Sequence, residues 1–368
     1  MTLLGGMASP AMSASRPLSP VALDIVELWV ADLARMQRTL IAGLGFAALE
    51  IDHPASEPGG RVRLGCGGVE IVLRHDPSGA SPVGRHVESH GDTVADVALH
   101  AVDADAMAER AAAHGLYVSG SSGAWAIDMT GDGTVRHSLR RKEAARHPEV
   151  VSAGPRMLGI DHVAYCVPSG TAASLAQAYE DVFGLHRVAV PCEQVGGDIV
   201  GMRSMVLRSD LGFTVVLTEP SCPGGAGQTQ RFIDAHRGPG VQHIALSYDD
   251  LVGAATAVRS RGLPLLEVPD EWLHRAEERL GGVALPWDEL RQCGVLVDAD
   301  GDGLILQVFT RPLGDRATFF VELIERRGGT GFGAGNVAAL FAAVDAATAP
   351  LGRVAGTGAS DGRHVESD

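Results

Sequence analysis

Three residues of this chain have the types and surroundings to bind a metal ion together: His162 in Leu-Gly-Ile-Asp-His-Val, His243 in Gly-Val-Gln-His-Ile-Ala, and Glu322 in Phe-Phe-Val-Glu-Leu-Ile-Glu. Each stands in an apolar/polar alternation typical of a half-buried strand. Alternation puts Glu322 on the face that carries Phe320 and Ile324. A carboxylate on an apolar face needs a partner, and a cation is the natural one. Two imidazoles and one carboxylate on one side of a metal leave three coordination positions open, an arrangement suited to Fe(II) and O2. Either histidine alone reads more readily as a satisfied core residue; the matched placement of both is what favours a metal.

That placement comes from a repeat. Leu23–Val30 matches Ile160–Val167, and each is followed by a helical stretch with a glycine stop, residues 31–45 and 172–184. Thr93–Leu99 likewise lines up with Gly240–Leu246, each running into an alanine-rich amphipathic helix, residues 103–115 and 250–262. Four modules, two per half, are therefore expected, with the halves joined across residues 141–155. His162 and His243 occupy equivalent points of the second half, where the first half has Ile25 and Asp96. No carboxylate occurs in residues 134–141, the terminal strand of the first half. Only the second half is expected to bind metal, and most of His86, His90, His100 and His137 are expected to be solvated.

The bulk properties narrow the partners. A chain of 368 residues with net charge −15 has ample core for two domains. That charge sign disfavours nucleic acid and anionic membranes. Five scattered cysteines without a CxxC pair suggest a reduced, cytoplasmic protein. No apolar run approaches the roughly 18 residues of a membrane span. Residues 1–20 read as a disordered leader, 21–150 as a metal-free first domain, 156–348 as the catalytic domain, and 349–368 as a disordered tail. Asp298-Ala-Asp-Gly-Asp-Gly resembles the start of a calcium loop, but its twelfth position is Phe309, so a tight turn before residues 304–310 is expected.

Together with Leu-Gln307-Val-Phe309-Thr and Gly-Phe332-Gly-Ala-Gly-Asn336, these motifs resemble the 4-hydroxyphenylpyruvate dioxygenase and 4-hydroxymandelate synthase family of the vicinal oxygen chelate superfamily. The resemblance covers roughly residues 22–345, weakly in the first half and strongly from Leu158 onward. It implies an α+β fold of two vicinal-oxygen-chelate barrels built from paired βαβββ modules, with a closing C-terminal lid helix over about residues 336–346. It also implies Fe(II) on His162, His243 and Glu322, with O2 and an aryl 2-oxo acid as reactants. Ser204, Gln228, Gln242, Gln307, Phe309, Phe320, Phe332 and Asn336 match the family's pocket positions. Amides and a hydroxyl suit a carboxylate or phenol, and phenylalanines wall a dry ring pocket. A homo-oligomer, a dimer, is expected.

Two departures bear on the product. Homogentisate-forming members have Pro-x-Asn-Glu-Pro where this chain has Val216-Leu-Thr218-Glu-Pro220, and Gly-Asn-Phe where it has Gly335-Asn336-Val337. The mandelate synthases resemble this chain at both places. Benzylic hydroxylation of 4-hydroxyphenylpyruvate to 4-hydroxymandelate is the expected outcome, with ring hydroxylation to homogentisate, or another 2-oxo acid, as the alternative. Two rival readings share the same residues: an extradiol catechol dioxygenase, and a non-catalytic binding protein of the same fold.

Overall fold

The computed structural model describes residues 18–52, 59–141, 154–188, 201–221, 227–300 and 303–333, and residues 335, 336, 339, 340 and 343 beyond them. The expected leader lies mostly outside these residues. The core of the joining segment, the expected tail and Val337 lie wholly outside them.

The first half runs β1 (Ala22–Trp29), α1 (Leu33–Arg38), β2 (Ala47–Asp52), β3 (Arg61–Cys66), β4 (Val69–Arg74), α2 (Pro82–His90), β5 (Thr93–His100), α3 (Ala104–Ala113), β6 (Tyr117–Ser121), β7 (Ala124–Asp128) and β8 (Arg136–Arg140). The second half repeats it with β9 (Met157–Cys166), α4 (Ala172–Phe183), β10 (His186–Val188), β11 (Met202–Arg208), β12 (Thr214–Pro220), α5 (Gln228–His236), β13 (Gly240–Tyr248) and α6 (Leu251–Ser260). Two inserted helices, α7 (Asp270–Arg279) and α8 (Trp287–Cys293), precede β14 (Leu296–Asp300), β15 (Gly303–Phe309) and β16 (Phe320–Arg327). Each half therefore holds two βαβββ modules in one curled eight-stranded sheet. The strand orders, β2-β3-β4-β1-β5-β8-β7-β6 and β10-β11-β12-β9-β13-β16-β15-β14, are the same path drawn twice.

Local chemistry explains the repeated βα starts. Asp32 and Asp250 cap their helices by accepting backbone N–H bonds from Arg35 and Gly253. At the far ends, Gly45 (φ 85°) and Gly184 (φ 70°) take up the left-handed conformation that stops the helix. The first helix widens into π-type turns over Thr39–Leu44 before that stop. There Gly43 lies against Leu263 of the second half, and an added Cβ would fall 2.9 Å from the Leu263 side chain.

A single apolar core runs through both halves, from Val26 and Leu99 to Val163, Ile244 and Leu323. It corrects the expectation for the first-half histidines: His137 is 0% exposed and His86 is buried too, with His90 and His100 half-buried. His137 is kept by partners from both halves, its Nδ1 2.7 Å from the Val97 carbonyl and its Nε2 2.8 Å from the Tyr179 hydroxyl. Asp300 pairs with Gly303 across β14–β15, in agreement with the tight turn expected before residues 304–310, and Asp298, within β14, pairs with Ile305. Its carboxylate accepts a bond from the Gly335 N–H and pairs with Arg279.

Burial holds the His137 pKa down to about 4, a pull only partly offset by the bond to Val97. The unfolded chain takes up a proton near pH 6.5 that the folded chain refuses until about pH 4, so stability is present above 6.5 and is lost as pH falls. At pH 5 this group costs about 2 kcal/mol relative to pH 7.5. Denaturant midpoints of the natural chain and His137→Gln, measured at both pH values, check this. The variant should lose clearly less stability on acidification, and equal losses would refute the assignment.

Candidate metal centre

Three adjacent strands, β9, β13 and β16, form the middle of the second sheet. Across β9 and β13, His162 faces Ala245 and His243 faces Ala164; across β13 and β16, Ala245 faces Glu322. The three functional side chains thus share one face, and each lies beside an alanine too small to obstruct it. A register shift between Val241 and His243 bulges β13 at Gln242. This lets His243 join the face.

The chelating atoms converge. His162 Nε2 is 3.3 Å from His243 Nε2, and Glu322 Oε2 is 3.5 Å from the first and 3.3 Å from the second. The centre of that triangle lies about 1.9 Å from each corner, close to a metal–nitrogen bond of ~2.0–2.1 Å. Among the described residues this is the one group of three such side chains able to hold an ion. The donor set and its spacing fit a divalent metal.

Electrostatics agree with the geometry. Burial alone would raise the Glu322 pKa, but the two imidazoles outweigh it and bring it down to about 2. Burial would lower that of His162, yet the bonds and charges of Asp161 and Glu322 raise it to about 9. Burial lowers the His243 pKa below its ordinary value. With no ion bound, a protonated His162 pairs with Glu322 while Arg326 pairs with Asp161; a divalent cation would take the place of that His162 proton.

The pocket residues divide by position. Phe320 stacks on the His243 ring with centroids 4.9 Å apart, and Phe309 sits edge-on to Phe320. Phe332 approaches His162 edge-on at 5.2 Å. Gln242 turns its amide oxygen toward His243 Nδ1, 3.3 Å away. Gln307 is fully engaged: its Nε2 donates to Glu322 and its Oε1 accepts from Asn336 Nδ2, both at 2.9 Å. Gly333 (φ 65°) passes so close that an added Cβ would lie 2.1 Å from the Gln307 oxygen. Residues 335, 336, 339, 340 and 343 are helical, and Ala339 and Ala343 pack with Phe309 and Phe320, as expected of a closing helix. Ser204, on β11, is further off; it faces Thr218 across β12, oxygen to oxygen 3.3 Å. Gln228 opens α5 and is buried.

Two contributors were not singled out by sequence. Asp161 holds His162 Nδ1 at 2.8 Å, and Arg326 forks onto both Asp161 oxygens at 2.6 and 2.8 Å. Arg326 also donates to the Gly331 carbonyl and lies over the Phe332 ring. Alternation carried a signal for it, since Glu322, Ile324 and Arg326 share a face. In the first sheet the equivalent positions are disarmed. Ile25 packs with Val72 and Ala98, and Asp96 accepts bonds from Ser138 N and Oγ while pairing with Arg136.

One divalent ion per chain is therefore expected, and it should be lost in His162→Ala and in His243→Ala. Glu322→Gln should weaken binding strongly while the chain still folds. Glu325 spends its oxygens on Leu251 N and Arg327, so Glu325→Gln should retain the metal. Arg326→Gln should cost about tenfold in metal affinity through the loosened Asp161–His162 contact. Metal analysis and calorimetry decide; undiminished binding in both histidine variants would rule the centre out.

No family model matches the chain. It is 30% identical over 303 residues to 4-hydroxyphenylpyruvate dioxygenase of Caenorhabditis elegans, covering 72% of this chain and 75% of that one. With the enzyme of the same name from Yarrowia lipolytica it shares 28% over 314 residues, or 77% and 79% of the two chains. A mutant of 4-hydroxymandelate synthase from Streptomyces coelicolor superposes with a TM-score of 0.77 at 32% identity, over 89% of this chain and 99% of that one. A xylose isomerase-like TIM barrel/4-hydroxyphenylpyruvate dioxygenase fusion protein superposes at 0.71 and 26%, over 92% and 55%. The chain belongs to the family of 4-hydroxyphenylpyruvate dioxygenase and 4-hydroxymandelate synthase, and is a dioxygenase of its two-barrel fold.

Proposed function

We propose that this chain binds Fe(II) through His162, His243 and Glu322 and uses O2 to convert 4-hydroxyphenylpyruvate to 4-hydroxymandelate and CO2. The observation that carries the reading is the triangle of ligand atoms on one face of the sheet, with phenyl rings set against both imidazoles. When bound, ferrous iron supplies chelation of the 2-oxo acid and activation of O2. One oxygen atom ends in the new carboxylate and the other in the benzylic hydroxyl.

The protein's own residues supply charge, position and dryness. Glu322 offsets the ionic charge, and Gln307 fixes its rotation. Asp161 orients the His162 ring so that Nε2 faces the metal. Phe309, Phe320 and Phe332 exclude water and confine the aryl ring. Ser204 with Thr218, and Gln228 at the head of α5, offer hydrogen bonds to polar ends of the substrate. The reading takes the active form to be a homodimer, and a cytoplasmic one on the strength of its scattered cysteines. No helix among the described residues is long and apolar enough to cross a membrane.

Ring hydroxylation to homogentisate is the second reading, favoured by the relatives that carry the dioxygenase name. The two products differ in which substrate carbon lies nearest the oxygen, and a displacement of about 1 Å decides such competitions. The departure in sequence at Val337, a smaller residue than the phenylalanine of homogentisate-forming members, supports the benzylic outcome. Incubation of the iron-loaded chain with 4-hydroxyphenylpyruvate and O2, followed by chromatography, should show mainly 4-hydroxymandelate. Val337→Phe should divert part of the product to homogentisate. Homogentisate as the dominant natural product would defeat the assignment, and catechol cleavage without a 2-oxo acid would replace it with the extradiol reading.

A further inference from the structure

The first barrel lacks the ligand set of the second but holds a space of its own. A cavity of about 430 Å³ opens between α2 and the strands β1, β6, β7 and β8, within the size range of small-molecule sites. His86 lines it, is 8% exposed, and has no hydrogen-bond partner for its buried Nε2. An unmet polar atom inside a protein is costly, which marks it as waiting for a partner. Trp29 meets the His86 ring edge-on at 4.9 Å, and the Arg136 guanidinium lies 5.0 Å from the Trp29 ring. The buried Nε of Arg136 also lacks a hydrogen bond, with Asp96 the near carboxylate at 3.4 Å.

The walls carry two charges of each sign, Arg85 and Arg136 against Asp128 and Asp132. The two carboxylates turn to their own loop, so an anion would be held by unmet hydrogen-bond donors and not by a surplus of charge. Asp128 accepts backbone bonds from Thr130, Gly131 and Gly133, and Asp132 accepts from Thr134 N and Oγ1. Burial, with the nearby His90, His236 and Arg136, brings the His86 pKa down to about 3, so its ring is a neutral hydrogen-bonding group. A metal is a poor occupant. The imidazoles of His86, His90 and His236 lie tilted in a row, with neighbouring centroids 4.8 Å apart, and His90 and His236 turn their Nδ1 atoms to the carbonyls of His236 and Gly238. The mouth carries the ring of Tyr117, which is 69% exposed.

We propose that the first barrel is a second binding site, for a small aromatic carboxylate whose ring lies among Trp29, His86 and Tyr117 and whose carboxylate meets Arg136 and His86 Nε2. This site borders the catalytic half. His90 bonds the His236 carbonyl at 2.8 Å, and Arg316 bridges the carbonyls of Ser89 and Ala235 at the ends of α2 and α5. It stands independently of the product made at the metal.

Phenylacetate, which lacks the keto oxygen needed for chelation, is the probe, titrated calorimetrically into the full-length metal-free chain. Saturable binding is expected, weakened about tenfold or more in Arg136→Met and in His86→Phe and unchanged in Glu322→Gln and His243→Ala. Should either core variant fail to fold, Tyr117→Ala at the exposed mouth should still weaken binding several-fold. Absence of saturable binding overturns the proposal. So does binding that survives the first-barrel variants, or that disappears with Glu322→Gln, which would place the probe at the metal centre.

Discussion

The architecture of the second barrel answers to one constraint: a carboxylate, Glu322, sits 2% exposed among imidazoles and phenyl rings. Such a charge is tolerable only with positive partners and hydrogen bonds on every side. The register of β9, β13 and β16 supplies the imidazoles, β15 supplies the Gln307 amide, and the closing helix supplies Asn336 to hold Gln307. The Asp161–Arg326 pair forms a second charged layer behind His162. Removing any one of these leaves another group unpaired, so the site behaves as a unit.

The same topology drawn twice shows how specific the chemistry is to side chains and not to fold. Both sheets have the same strand order, yet the first pairs Asp96 with Arg136 and Ser138 where the second gathers the candidate metal ligands. A carboxylate next to its own arginine has no need of an ion. The fold provides converging strand positions, and the residues placed there decide whether charge is left over.

Much of this was legible in sequence, because strand alternation and repeat matching are short-range properties. They located His162, His243 and Glu322, the four modules and the glycine stops at Gly45 and Gly184. Burial set by the opposite half was not legible. His137 looks like a solvent-facing polar residue in a short strand, and it is buried because Tyr179, 42 residues later, arrives with a hydroxyl. Arg326 was hidden for a related reason: its partner Asp161 lies 165 residues away. The close connection between β14 and β15 was legible in its glycines and aspartates, while the partners of the Asp298 carboxylate, Arg279 and Gly335, come from distant segments and were not.

The relay from Gly333 through Asn336 and Gln307 to Glu322 has a consequence for how the chain is made. A ribosome delivers the first barrel, then β9 and β13, long before the residues that finish the site. Until the segment around Gly333 has emerged and settled against Gln307, Glu322 lacks the amide that steadies it. Competence of the second barrel thus waits on a segment that follows all three candidate ligands in the order of synthesis.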